Sequence, residues 1–353
     1  MTHMTLPTHL SPRLSTYRLS TRRLAAAVCA LACVLAGAAH AQVTPQRLYY
    51  GLDRPMPVLV ELPDGAEATE ATLRLYAPPG RDAVNETSYG DVIAEAQAQP
   101  GEVDLAEAFA NFWTLVNRPV VYVQAFAGDD AVGPPMVLQA MRTPAQARGA
   151  PSGVTFQSPP RPVFTGVRAY TDMLVRLETS AGEMTIRLRP DVAPNTAFNF
   201  RHLVDGGYYT DVIFHRILGP GEGGEPGFVI QVGDPTGTGG GGPGYFIDLE
   251  PSSLLHDFGV VSMARTNQPD TNGSQIFICL SRERTAALDG RYTAFAEVVG
   301  GAPVIMDVAT VPTDQNGRPR TAPPMIESAR LIDAPPLTER DPRVSKPEAD
   351  AGR

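Results

Sequence analysis

Short apolar runs with strand character recur along this chain, and helical spacing of apolar residues appears in only a few places. Residues 58–62, 71–76, 120–126 and 136–141 are short runs with strand character, divided by turn clusters such as Pro63-Asp64-Gly65 and Pro78-Pro79-Gly80. Regular short strands of this kind predict a small β-sandwich-like domain over 42–148, with one helix at 105–116 carrying Trp113. Further on, Met173, Val175 and Leu177 and then Met184, Ile186 and Leu188 alternate with polar neighbours across Ser180-Ala181-Gly182, which predicts a β-hairpin. Pro194 opens a helix with Ala197, Phe200 and Val204 on one face, and Gly206-Gly207 stops it. Strands follow at 214–216, 228–232, 260–263, 276–279, 292–299 and 326–331, and so many strands with so few helices predict a closed barrel.

Composition divides the chain. Residues 149–169 are rich in Pro, Gly and Ser, including Ser158-Pro159-Pro160-Arg161-Pro162, and predict an extended linker. Residues 333–353 are Pro-rich and charged and predict a disordered tail. At the other end, Arg13, Arg18, Arg22 and Arg23 precede an apolar run ending in Ala39-His40-Ala41. That is the pattern of an export leader over residues 1–41, cleaved before Gln42. The run is shorter than the ~20 residues that span hydrocarbon, so no stable membrane span is expected. Export to the periplasm is the expectation, with secretion or anchoring by an uncleaved leader as alternatives.

Charge and cysteine usage narrow the chemistry. Removing residues 1–41 takes away four arginines and no acids, so the formal net charge moves from −9 to −13. Such a chain does not track phosphate backbones, and no nucleic-acid partner is expected. Only Cys279 remains after cleavage, which excludes an internal disulfide and suggests a buried structural thiol in an apolar run. The glycine-rich stretch 237–244 lacks a Gly-Lys-Ser/Thr ending, and the only lysine is Lys346, so it reads as a loop rather than a phosphate cradle. His202, His215 and His256 lack metal-ligand spacing, and no metal or other cofactor is expected. Asn272-Gly273-Ser274-Gln275 lacks the second glycine of a nucleophile elbow. Asn85-Glu86-Thr87 fits a glycosylation acceptor, a match that arises easily by chance.

Two segments remain. Phe214-His215-Arg216-Ile217 is completed by Pro226-Gly227-Phe228-Val229-Ile230-Gln231-Val232-Gly233-Asp234, and about sixty residues on stands Thr271-Asn272-Gly273-Ser274-Gln275-Ile276-Phe277-Ile278. Together they offer a fixed cation, two glutamines and aromatic rings, with no nucleophile beside them. That set suits a reaction needing polarisation and an apolar pocket but no bond-making, such as rotation about an X-Pro amide. With Gly182-Glu183-Met184-Thr185-Ile186, Ser262-Met263-Ala264 and Leu288-Asp289-Gly290, these segments resemble the cyclophilin family of peptidyl-prolyl cis-trans isomerases over about 170–332. The resemblance implies an eight-stranded antiparallel barrel capped by two helices, acting on proline-containing polypeptides.

The resemblance further implies that Arg216 is catalytic, donating to the proline nitrogen as the amide twists, with Gln231 orienting it and, like Gln275, bonding substrate backbone. Taken alone, Arg216 reads first as a surface ion-pair residue, and only Phe214-His215-Arg216-Ile217 with its companion motifs reverses that reading. Phe228, Phe277 and Leu288 match the proline pocket, with Val229 and Met263 beside them; Ala264 and Arg265 match a stretch that pairs with peptide backbone. Arg265 stands in place of a usual asparagine, and Tyr292 in place of a frequent histidine. Ala287 replaces a tryptophan that holds cyclosporin in many members, so weak cyclosporin binding is expected. Gly219 to Glu225 looks like an insertion and is expected to form a mobile flap at the groove rim. The alternative to catalysis is a module that captures proline-containing peptides without turning them over.

Overall fold

In the computed structural model, residues 42–80, 83–85, 89–151 and 153–347 are described. The expected export leader at 1–41 lies outside them, as do Glu86 and Thr87 of the glycosylation match.

The N-terminal part is a sandwich of two antiparallel sheets. One contains β1 (Gln42–Pro45), β3 (Pro57–Glu61) and β6 (Gly101–Asp104) in the order β1-β3-β6. The other uses β2 (Tyr49–Gly51), β4 (Ala71–Tyr76), β5 (Val92–Ala98), β7 (Val120–Ala127), β8 (Asp130–Arg142) and β11 (Phe164–Thr171) in the order β2-β11-β8-β7-β4-β5. The helix expected over 105–116 is two single turns, α1 (Leu105–Ala108) and α2 (Phe112–Leu115). Asn111 between them takes a left-handed φ of 58°, which an α-helix cannot pass through. Asp104 caps the first turn by accepting from Ala106 N–H at 2.9 Å.

The expected linker at 149–169 is structured instead. β9 (Gln146–Ala150) and β10 (Gly153–Gln157) form a separate two-stranded hairpin. β11 pairs with both β8 and β2. The signal was an alternation masked by Pro and Gly nearby: Val167 and Ala169 point into the sandwich core, and Tyr170 points out of it.

The second part is one antiparallel sheet of nine segments in the order β14-β20-β12-β13-β19-β17-β18-β16-β15. In chain order these are β12 (Met173–Thr179), β13 (Gly182–Leu188), β14 (Val212–Ile213), β15 (Arg216–Leu218), β16 (Val229–Val232), β17 (Val260–Met263), β18 (Ile276–Cys279), β19 (Ala294–Gly300) and β20 (Met325–Asp333). Its two edges, β14 and β15, are consecutive in sequence and separated only by Phe214-His215, so the sheet curls until its ends meet. Counting that interrupted run as one strand gives the expected eight. α3 (Pro194–Asp205) and α5 (Ala302–Ala309) bury apolar faces against the sheet, Phe200 and Ile305 among them. Between them, α4 (Arg282–Thr285) is a single turn capped by Ser281. α3 has no side-chain cap of its own; Glu250 supplies one, accepting from Thr196 N–H at 2.7 Å and Asn195 N–H at 3.1 Å. Cys279 is buried, and burial pushes its thiol well up.

The expected disordered tail is corrected as far as Pro347. Leu337 is buried among Val120, Tyr122, Phe126, Val137 and Tyr170 on the outer face of the six-stranded sheet, and its N–H donates to Gln124 at 3.0 Å. That explains why β7 is buried on both faces rather than alternating. Arg340 pairs with Asp172, Arg343 with Glu297 and Asp257, and Val344 N–H donates to Val298 O at 3.0 Å. A polar, Pro-rich segment is thus held by anchors that composition does not reveal. Among the described residues no helix is long and apolar enough to cross a membrane.

Candidate active site

Register alone aligns the central residues. β15 pairs Arg216 with Gln231 on β16, β16 pairs Gln231 with Phe277 on β18, and β18 pairs Phe277 with Ser262 on β17. Residues opposite one another on neighbouring strands share a face, so Arg216, Gln231 and Phe277 form a row across the sheet. The row borders a cavity of about 540 Å³ that also takes in Phe228, Val229, Ala264, Arg265, Leu288 and Tyr292. Of the residues expected here, Gln275 lies in an adjoining hollow of about 470 Å³ that shares Gln231, Ala264 and Arg265 with the notch. Met263 does not line the notch; it is fully buried in the core beneath Ala264.

The floor is rigid and apolar. Phe277 packs edge-on to Tyr292, with centroids 5.7 Å apart, and the ring of His256 stacks beside Phe277 at 6.0 Å. His256 Nδ1 lies 3.0 Å from Asp289, and its Nε2 lies 2.9 Å from Ser262 Oγ. That order resembles a serine-hydrolase relay, but Ser262 has no exposed surface and His256 is 1% exposed. No substrate carbonyl can reach such a serine, so the three serve as a buttress for Phe277. Burial lowers the affinity of His256 for a proton, and Asp289 only partly offsets this.

The glutamines are fixed by relay. Gln231 donates to Gln275 at 2.9 Å, and Gln275 donates to the carbonyls of Gly239 and Gly241 at 3.0 and 2.9 Å. That loop is held in turn by Asp234, which accepts from the N–H groups of Thr236, Gly239 and Gly241 at 2.7, 2.7 and 3.0 Å. Burial pushes the Asp234 carboxyl up, but these hydrogen bonds outweigh it and hold it well below the usual carboxylate range. The glycines are needed here: a Cβ on Gly241 would sit 2.0 Å from Asp234 Oδ1. The loop character expected for 237–244 is what the structure has.

The Arg216 side chain is exposed and has no hydrogen bond or ion pair among the described residues. Arg265 differs: it donates to Arg291 O at 2.8 and 3.1 Å and to Thr266 O at 2.8 Å, and lies over the Tyr292 ring at 4.6 Å.

The stretch 219–225 does not border the notch. Gly221 N–H donates to Glu225 O at 3.0 Å, closing a tight turn, and a Cβ on Gly219 would meet Ala309 O at 1.8 Å. The expected rim flap is therefore a turn seated against the C-terminal end of α5. The rim instead includes His215, Thr238, Gly239, Asn316 and Arg318, which sequence reasoning passed over. Asn316-Gly317 was a readable turn pair. Gly317, at φ 82°, accepts from Ile217 N–H at 2.7 Å, and a Cβ there would lie 2.9 Å from Ile217 O. Asp314 fixes that turn by accepting from the Asn316 and Arg318 N–H groups, and Arg318 donates to Thr238 O at 3.0 Å.

A family model described as cyclophilin type peptidyl-prolyl cis-trans isomerase/CLD matches residues 174–331. A peptidyl-prolyl cis-trans isomerase-like 1 from Neurospora crassa is 40% identical over 163 residues, covering 45% of this chain and 93% of that protein. Peptidyl-prolyl cis-trans isomerase ppi1 of Schizosaccharomyces pombe is 42% identical over 165 residues, covering 45% of this chain and 96% of that one. A crystal structure of a cyclophilin-type isomerase from Cryptosporidium parvum is 33% identical, with a TM-score of 0.41 over 45% of this chain and 98% of its own. This chain belongs to the cyclophilin-type peptidyl-prolyl cis-trans isomerase family, and it is a peptidyl-prolyl cis-trans isomerase. The sandwich, the 146–157 hairpin and the segment past 331 lie outside the match.

Proposed function

We propose that this enzyme turns X-Pro bonds in exported polypeptides, with Arg216 stabilising the twisted amide. The observation that carries the proposal is the uncommitted guanidinium of Arg216 beside the apolar notch of Phe228, Phe277 and Leu288. Twisting an X-Pro bond breaks amide resonance and leaves a lone pair on nitrogen, and the uncatalysed barrier is ~20 kcal/mol. A donor aimed at that nitrogen stabilises the twisted state more than either planar state, which is what catalysis requires. A guanidinium already committed to a carboxylate would have to give up that partner first.

In this reading the proline ring sits against Phe277 and Leu288, and the backbone beside it runs along Ala264 and Arg265. Gln231 and Gln275 hold their positions through the glycine loop, so their alignment costs nothing when substrate arrives. Export rests on the basic, apolar and small-residue pattern of residues 1–41, with the periplasm as destination; N-terminal sequencing of the mature protein should begin at Gln42. Inhibition by cyclosporin should be weak, because Ala287 offers a methyl where a wide ring would hold the drug.

A protease-coupled isomerisation assay tests the role of Arg216. Arg216→Ala should lose about 10²–10³-fold in kcat/KM, the usual scale for removing one preorganised donor. Equal rates in the two proteins would leave only capture of proline peptides as the function of the notch.

A further inference from the structure

The hairpin formed by β9 and β10 comes from outside the family match, yet it stands at the edge of the catalytic groove. A third hollow, a cleft of about 430 Å³, is walled on one side by Ala150 and Val154 of the hairpin and on the other by Arg265 and Tyr292. Those last two residues also border the proline notch, so the two hollows share a wall. The approach is close: a Cβ on Gly153 would lie 3.4 Å from Arg291 Nε.

Three properties of this cleft point to an extended polypeptide. The hairpin is a two-stranded sheet with no third strand, so backbone N–H and C=O groups along its outer edges lack strand partners among the described residues. Such an edge accepts an added strand through main-chain hydrogen bonds, largely independent of sequence. The cleft is continuous with the Ala264–Arg265 stretch along which the substrate backbone would run. The Arg265 guanidinium donates only to backbone carbonyls, so no carboxylate among the described residues neutralises it.

We propose that the 146–157 hairpin is a substrate-binding wall added to the isomerase, which holds the stretch of polypeptide flanking the proline and favours an acidic residue there. The inference rests on the notch being the proline site. It gives the chain a selectivity for long, unfolded segments over short peptides, which the family portion alone would not supply.

The test compares a four-residue X-Pro peptide with ten-residue peptides that keep the same core and carry glutamates or lysines in their extensions. Wild-type mature protein and Val154→Glu and Ala150→Trp variants are used; both side chains are half-buried on the hairpin, so the fold should persist, with thermal unfolding as the check. For the four-residue peptide, kcat/KM should stay within twofold in all three proteins. For the glutamate peptide, KM should be lower than for the short peptide in wild type and rise about five- to tenfold in Val154→Glu, with kcat unchanged. Ala150→Trp should weaken both long peptides. Calorimetric titration of the glutamate peptide gives a readout independent of turnover, and the same weakening should appear there. No advantage of long over short peptides in wild type, or equal effects of the variants on both, would overturn the cleft. If wild type fails to turn even the short peptide while long-peptide binding still depends on Val154, the reading of Arg216 fails and the cleft stands.

Discussion

Arg189 and Arg216 are the same side chain used in opposite ways. Arg189, 1% exposed, lies between the sandwich and the curled sheet, donating to Asp191 at 2.8 Å, to Glu297 at 2.9 Å and to Val84 O at 2.8 Å. Around it, Glu297 also accepts from Arg187 at 2.8 Å and Arg343 at 3.3 Å, so the charges of this seam are matched within the protein. The Arg216 guanidinium stands at the notch with no partner among the described residues. Buried charge must be compensated internally or it destabilises the fold. A charge left uncompensated at an open hollow stabilises nothing in the resting protein and remains available to a ligand. Pairing, rather than residue type, is what separates these two arginines.

The largest expected effect lies in the seam. Glu297→Ala takes a shared carboxylate from two buried guanidiniums, Arg187 and Arg189, at once, and removing one member of a buried ion cluster typically costs about 3–5 kcal/mol. Denaturant unfolding should show that loss, while kcat/KM of the folded protein stays within twofold. A loss below 1 kcal/mol would mean that water compensates the seam and that the contrast with the notch is weaker than drawn.

On the notch side, Gln275→Ala should lower kcat/KM about tenfold, a loss of ~1.4 kcal/mol, by freeing both Gln231 and the glycine loop. Stability should change little. An equal loss of stability and activity would make Gln275 a structural residue.

How much of this was readable in advance follows from where each signal resides. The row of Arg216, Gln231 and Phe277 was legible because strand register and short contiguous motifs carry it. The seam was not. Arg187, Arg189, Glu297 and Arg343 are scattered over 157 positions, and each looks like an ordinary surface charge until the fold brings them together. Residues 149–169 and 333–347 differ from expectation for the same reason: Pro and Gly suggest an extended linker and a disordered tail, while single anchors such as Val167 and Leu337 set the outcome. Met263 matched the pocket by motif, yet strand alternation turns it inward, beneath Ala264. The hairpin at 146–157 contains no chemistry of its own, and only its position beside Arg265 and Tyr292 gives it meaning.

A smaller effect should sharpen the view of the rim. Ala287→Trp, at an exposed position next to Leu288, should strengthen cyclosporin inhibition several-fold without altering turnover of a short peptide. No change would place the limit on drug binding elsewhere, with Arg265 the next residue to test.

The smallest effect expected is in pH dependence. The buried His256 takes a proton less readily in the folded state than in the unfolded chain, so its contribution is intact above the ordinary histidine range and is lost as pH falls through it. Unfolding free energy should decline from pH 7.5 to 5, and less steeply in His256→Gln. Glu297 and Asp234, both held below their usual values in the fold, extend the decline at lower pH, because stability from a depressed carboxylate disappears as it protonates. Because the proposed catalytic step uses a guanidinium and no proton transfer, kcat/KM of the folded enzyme should be flat over the same range.

The most direct measurement is exchange NMR on a single X-Pro peptide, which reports binding and cis-trans interconversion in the same sample. With Arg216→Ala, peptide affinity should fall by less than about threefold, while the catalysed interconversion rate should fall at least 100-fold, with no change in Tm. An Arg216→Ala protein that interconverts the bound peptide as fast as wild type would contradict the account.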